Sequence, residues 1–132
     1  MRKKLKVGNI ASIQKVFTME VVEQFAEIST DKNPFHLNEE YGKASIFGQR
    51  IVHGMLVASL FSGLLGQKLP GEGTIYLGQT LNFKKPVFIN EEVTASVEII
   101  HMRDDKPIVR LKTICTNSKG EIVIEGEAVA KV

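Results

Sequence analysis

Residues 54–66 read GMLVASLFSGLLG, and the fold turns on this stretch. Residues 54–65 predict a helix that is apolar nearly all round its circumference, whereas a surface helix carries apolar side chains on one stripe only. Such a helix has to be wrapped. The stretch is well short of the ~20 residues that span a bilayer, so it belongs in a core and no membrane span is expected. The wrapping follows it in the chain: residues 74–83, 92–103, 108–116 and 121–132 alternate apolar and polar in the strand manner. The breaks Asp104-Asp105-Lys106-Pro107 and Asn117-Ser118-Lys119-Gly120 supply hairpin turns. An α+β fold follows, an antiparallel sheet curved around one long buried helix. A sheet of this size leaves unpaired edges and does not cover the helix along its whole length unaided, so a homodimer is expected.

Ahead of the helix, residues 10–18 read as a first strand and 19–29 as a helix capped by Thr18. Val21, Phe25 and Ile28 fall at i, i+4 and i+7 of that helix, the spacing of a buried face. Residues 30–34 (TDKNP) break it, and Asn38 caps a short helix through Glu39, Glu40, Tyr41 and Ala44.

Composition narrows the function. With 132 residues and 43% hydrophobic content, residues 1–132 suit one domain with a real core. Seventeen basic residues against fifteen acidic leave a net charge of +2. Apart from residues 1–6 (MRKKLK) and the Lys84-Lys85 pair the charges are mixed, without the basic stripe of a nucleic-acid binder. The basic opening lacks the apolar stretch of a signal peptide and reads as a solvated leader. One cysteine, Cys115, excludes an intrachain disulfide and a cysteine-rich zinc site and fits a reducing, cytoplasmic setting. Within the alternating run 108–116 it reads as a buried strand residue.

The densest polar constellation is Asp31-Lys32-Asn33-Pro34-Phe35-His36. Asn33 precedes a proline and is biased to extended backbone, and Pro34 fixes its own φ, so the loop is stiff. A stiff loop lets Asp31 and His36 point at one water, the geometry that acid/base chemistry needs first. The alternative is an Asx turn beside a partly exposed histidine. The second feature is Ile51-Val52-His53-Gly54-Met55. Free N–H groups at a helix start stabilise negative charge, and Gly54 lets a ligand approach the backbone closely. Equally, Gly54 starts the helix without clashing with the sheet. A two-histidine, one-carboxylate metal site from Asp31, His36 and His53 is set aside, because only the first two are locally paired; His53 and His101 read as structural. Gly54, Ala58, Ser62 and Leu65 share a helix face, which either packs on the sheet or borders a substrate channel. Ser62, its polar member, either bonds the Ala58 carbonyl or is open to a ligand.

Asp31-x-Asn33-Pro34-x-His36 followed by Ile51-Val52-His53-Gly54-Met55 resembles the signature of the (R)-specific enoyl-CoA hydratases, the MaoC-like hydratases of the hot dog fold. Residues 51–70 and 74–86 resemble the single-domain bacterial members that feed polyhydroxyalkanoate synthesis. The resemblance implies hydration of a trans-2-enoyl thioester of coenzyme A to the (R)-3-hydroxyacyl thioester, in a homodimer without metal or redox cofactor. It gives Asp31 the activation of water, His36 the second proton, the Gly54 backbone the thioester oxygen, Asn33 the orienting of the pair and Ser62 a supporting part. Leu65, on the same helix face, is the candidate for contact with the acyl chain. The competing expectations are a dehydratase acting on acyl-carrier-protein thioesters, a hot dog thioesterase and a non-catalytic acyl-CoA binding module.

Overall fold

The computed structural model describes residues 4–132; residues 1–3 of the basic leader lie outside the described residues. In chain order the elements are β1 (Ile10–Val16), α1 (Met19–Ser29), α2 (Pro34–Leu37), α3 (Glu39–Ala44), α4 (Gly54–Gln67), β2 (Ile75–Gln79), β3 (Asn82–Phe83), β4 (Glu92–Met102), β5 (Ile108–Thr116) and β6 (Ile122–Lys131). The strands form one antiparallel sheet in the order β1-β4-β5-β6-β2, with β3 also paired to β6. The hot dog architecture is therefore present: α4 packs on one face of this sheet. No helix among the described residues is long and apolar enough to cross a membrane.

Alternation in the strands builds that face. Val93, Ala95, Val97 and Ile99 of β4 point inward with Val109, Leu111 and Cys115 of β5, all almost fully buried. From the helix, Leu56, Val57, Phe61, Leu64 and Leu65 meet them, and burying a side chain of this size contributes about 1.5–3 kcal/mol. Cys115 is a free thiol with no exposure, and burial pushes its pKa up to about 12. It is packing, as the strand pattern predicts. His101, by contrast, stands exposed beside a register shift in β4.

Three readings need correction. The helix is not wrapped on every side within one chain: Met55 is 58% exposed, and Ser59, Ser62 and Gly63 stand exposed near it. Met55, Ser59 and Ser62 recur at i, i+4 and i+7, so the small polar members of an otherwise apolar helix share one side. In α1 the buried residues are Val22 and Ala26, while Ile28, in the last turn, is 82% exposed. Thr18 does cap that helix, its hydroxyl accepting from the Val21 N–H at 3.3 Å. The strand expected over 74–83 is two strands: where the chain crosses β6 closely at Thr80 the Glu127 N–H donates to the Thr80 side-chain hydroxyl at 3.0 Å, and pairing with β6 resumes at Asn82 in the register that Gln79 left.

That crossing depends on Gly126. A Cβ there would stand 1.9 Å from the Thr80 carbonyl oxygen, a backbone atom held by the bond from the Thr80 N–H to the Glu127 carbonyl at 2.9 Å. Gly126→Ala is expected to lower stability by about 1–3 kcal/mol or more, the cost of overpacking a site that cannot give, as read from the midpoint of urea unfolding.

Candidate active site

The polar loop is held by a chain of side-chain-to-backbone bonds. Helix α1 ends at Thr30, whose φ of 65° turns the chain sharply. The Asp31 N–H then donates to the Ser29 hydroxyl at 3.1 Å, the Asn33 N–H to Asp31 Oδ1 at 3.2 Å, and the Phe35 N–H to Asn33 Oδ1 at 3.2 Å. The last bond caps the one-turn helix α2, with Pro34 at its start. The pattern of 30–34 predicts a bare loop; the structure inserts α2, and His36 stands on it. Asn33 thus touches both sides of the pair, its N–H holding the Asp31 carboxylate and its side chain capping the helix that carries His36.

Three further bonds tie this loop to the start of α4. The Ile51 N–H donates to the Phe35 carbonyl at 3.1 Å, His36 Nδ1 lies 2.7 Å from the Ile51 carbonyl, and His53 Nε2 lies 2.9 Å from the Asp31 carbonyl. A carbonyl only accepts, so both ring nitrogens carry protons. With Nδ1 so committed, Nε2 is the His36 nitrogen left to face the site. That atom faces Asp31 Oδ2 at 4.0 Å, with the His36 side chain 10% exposed and the carboxylate 50%.

The separation suits one water. Two groups hydrogen-bonded to one water, each about 2.8 Å from its oxygen and seen at a tetrahedral angle, stand roughly 4.5 Å apart. A tetrahedral zinc with ligands at ~2.1 Å would draw two donor atoms to about 3.4 Å. The structure does gather Asp31, His36 and His53 within 4.8 Å, whereas the sequence pairs only the first two. Yet His53 Nε2 is committed to the Asp31 carbonyl and His36 Nδ1 to that of Ile51, and the remaining spacing is wider than a metal needs.

His53 is the residue whose part the sequence conceals. It is 2% exposed, its ring stacks on that of His36 with centroids 3.8 Å apart, and the Phe25 ring meets it edge-on with centroids 4.9 Å apart. Burial, the largest influence, lowers its pKa, and the neighbouring His36 adds to this; the bond to the Asp31 backbone and the Asp31 charge oppose it. Its Nδ1 is buried without a partner. Adjacency to Gly54 was the one available signal, because its partners come from the other motif.

Gly54 begins α4, which has no side-chain cap, so its N–H is left for a ligand. It lines a cleft of about 430 Å³ together with Asp31, His36 and His53, walled by Phe47, Met55, Phe83 and Val87 among others. A Cβ at Gly54 would stand 2.6 Å from the Phe83 ring, so steric need and backbone access coincide here. Ser62 and Leu65 are not brought to this cleft: Ser62 is exposed and Leu65 is buried in the core. The reason is length, since eleven residues of helix carry Leu65 about 16 Å from Gly54.

A family model described as MaoC like domain matches residues 8–119. The (R)-specific enoyl-CoA hydratase of Aeromonas caviae is 52% identical over 128 residues, covering 97% of this chain and 96% of that protein. That of Rhodospirillum rubrum is 44% identical, covering 97% and 88%. The solved structure of an (R)-hydratase from A. caviae involved in PHA biosynthesis superposes with a TM-score of 0.97 at 51% identity, over 98% of each chain.

The lowered pKa of His53 sets a sign for acid stability. A histidine whose folded pKa lies below its unfolded value of about 6.5 favours the folded state above that value and loses this contribution as pH falls through the folded one. Urea midpoints are therefore expected to drop as pH is lowered from 6.5, and His53→Phe, which cannot charge, should flatten that drop.

Proposed function

The chain belongs to the MaoC-like domain family, and we propose that it adds water across the double bond of a trans-2-enoyl thioester of coenzyme A, giving the (R)-3-hydroxyacyl thioester, and runs the reverse elimination in the same cleft. The observation that carries this reading is the 4.0 Å gap between Asp31 Oδ2 and His36 Nε2, fitted to one water, in a cleft that also holds the Gly54 N–H. Adding the elements of water oxidises and reduces nothing overall, so the step needs no redox cofactor.

Asp31 takes a proton from the water as its oxygen bonds to C3. The electrons of the double bond move to the thioester oxygen, where the Gly54 N–H and the α4 dipole meet the developing charge. His36 then donates from Nε2 to C2, and the carbonyl re-forms. Because Nδ1–H is committed to the Ile51 carbonyl, only the imidazolium has a proton at Nε2. Hydration therefore starts from the Asp31 carboxylate beside the His36 imidazolium, and proton return from Asp31 to His36 resets the pair. His53, kept neutral by burial, places no second charge against that imidazolium.

Asn33 is the orienter of the pair in this scheme, and Ser62 and Leu65 act outside the open cleft. Leu65 lies on the face that continues from Val57 through Phe61 at i+4 and i+8, so it bears on longer acyl chains. Residues 1–132 act as one domain, in the cytoplasm, and as a homodimer. The support for the dimer is the sheet edge at β2, where Ile75 and Leu77 are 55% and 52% exposed, together with Met55 and Phe83 at 58% and 52%. Sedimentation at micromolar concentration is expected to give twice the chain mass; a monomer overturns the dimer.

Positioned acid/base groups contribute on the order of 10²–10⁴ in rate. Asp31→Asn and His36→Gln should each lower kcat by about that factor without unfolding the protein, and the double variant should lose little more than the worse single one. Loss of conjugated-enoyl absorbance measures this. Near-full hydration by folded Asp31→Asn, or release of free thiol in place of hydration, overturns the reading.

A further inference from the structure

We propose that Lys84 and Lys85 form the phosphate subsite of the cleft, binding the anionic end of the coenzyme; the inference rests on the reading of the cleft as an acyl-CoA site. Among the described residues these are the Lys or Arg side chains that line the cleft with Asp31 and His36. Other cations are directed elsewhere: Arg103 donates twice to Asp105, Lys68 to the Ser12 carbonyl, and Lys32 pairs with Glu27.

Their backbone is fixed, and their heads are held only by half-exposed ion pairs. Both N–H groups donate to the Val123 carbonyl, at 2.8 and 3.4 Å, which anchors two consecutive residues on β6. Each follows closely on Phe83, whose ring meets Gly54, so the stems start within about 3.3–3.6 Å of chain per residue from the end that holds the thioester oxygen. Their four-carbon stems carry the charge outward from there. The coenzyme has the same order, a neutral pantetheine arm running from the thioester to its phosphates. Lys84 pairs with Glu125 at 3.4 Å and Lys85 with Glu121 at 2.5 Å, with all four side chains about half exposed. Half-exposed ion pairs contribute little, so an arriving phosphate can take over either ammonium. In the free protein the two glutamates keep the ammoniums near the cleft.

The test compares two ligands that share the arm, coenzyme A and pantetheine, which lacks the phosphates and the adenosine they carry, by calorimetric titration of the intact protein. The wild type is expected to bind coenzyme A about tenfold tighter or more at low ionic strength, a gap of the size that two charge contacts give. Lys84→Gln with Lys85→Gln should remove most of the gap, as should about 0.5 M salt. The Lys84→Arg, Lys85→Arg pair should keep it, and so should Arg103→Gln outside the cleft. A wild type that binds both ligands equally, or a gap unchanged in the double glutamine variant, overturns the subsite. Turnover of the trans-2-enoyl thioesters of coenzyme A and of pantetheine is scored separately: if neither is hydrated the functional reading falls, while the binding gap still decides this one.

Discussion

The backbone of Ile51 is the joint on which the site depends. Its N–H donates to the Phe35 carbonyl and its own carbonyl accepts from His36 Nδ1–H, so one residue's backbone docks α2 and also sets the tautomer of the ring that α2 carries. A side-chain acceptor in that place would add rotamer freedom; a carbonyl in a fixed chain does not. The bond between His53 and the Asp31 carbonyl completes the joint from the other side. A polar loop with exposed Asp31, Lys32 and Asn33 thereby acquires the rigidity that a binding cleft requires.

The buried helix contributes position as much as stability. Because α4 is held by the sheet along the side that carries Val57, Phe61 and Leu64, its N-terminus has a fixed place beside the loop, and the Gly54 N–H at its start faces the cleft. Starting a helix without a side-chain cap is costly in an ordinary helix. The unpartnered Nδ1 of His53 adds a further cost of about 1–3 kcal/mol. Such unsatisfied groups concentrated at one spot are characteristic of a site that a ligand completes.

Much of this was legible in the residues, and the gaps have a common cause. Alternation fixed in advance where β4, β5 and β6 run, because one face of each is buried and a slip would expose it. Thr18 and Asn38 announced their helices because capping is local chemistry. Asp31 and His36 could be paired because a stiff loop keeps near neighbours near. What failed involved distance along the chain. The stacking of His53 on His36, the crossing of Gly126 over Thr80 and the exposure of Ile28 and Ser62 depend on which elements meet, and periodicity within one element carries no information on that. The exposed side of α4 is the instructive case, since high mean apolarity hid the fact that its serines share one side.

Cys115 gives the protein a silent reporter. The lone thiol sits at full burial in the central strand β5, flanked by β4 and β6, and is held almost wholly un-ionised at neutral pH. Fraying of loops or of sheet edges leaves it covered, so an alkylating reagent meets it only when the middle of the sheet opens. Its labelling rate is therefore a clock for global opening, one that runs without any engineered probe and that events in the cleft do not advance.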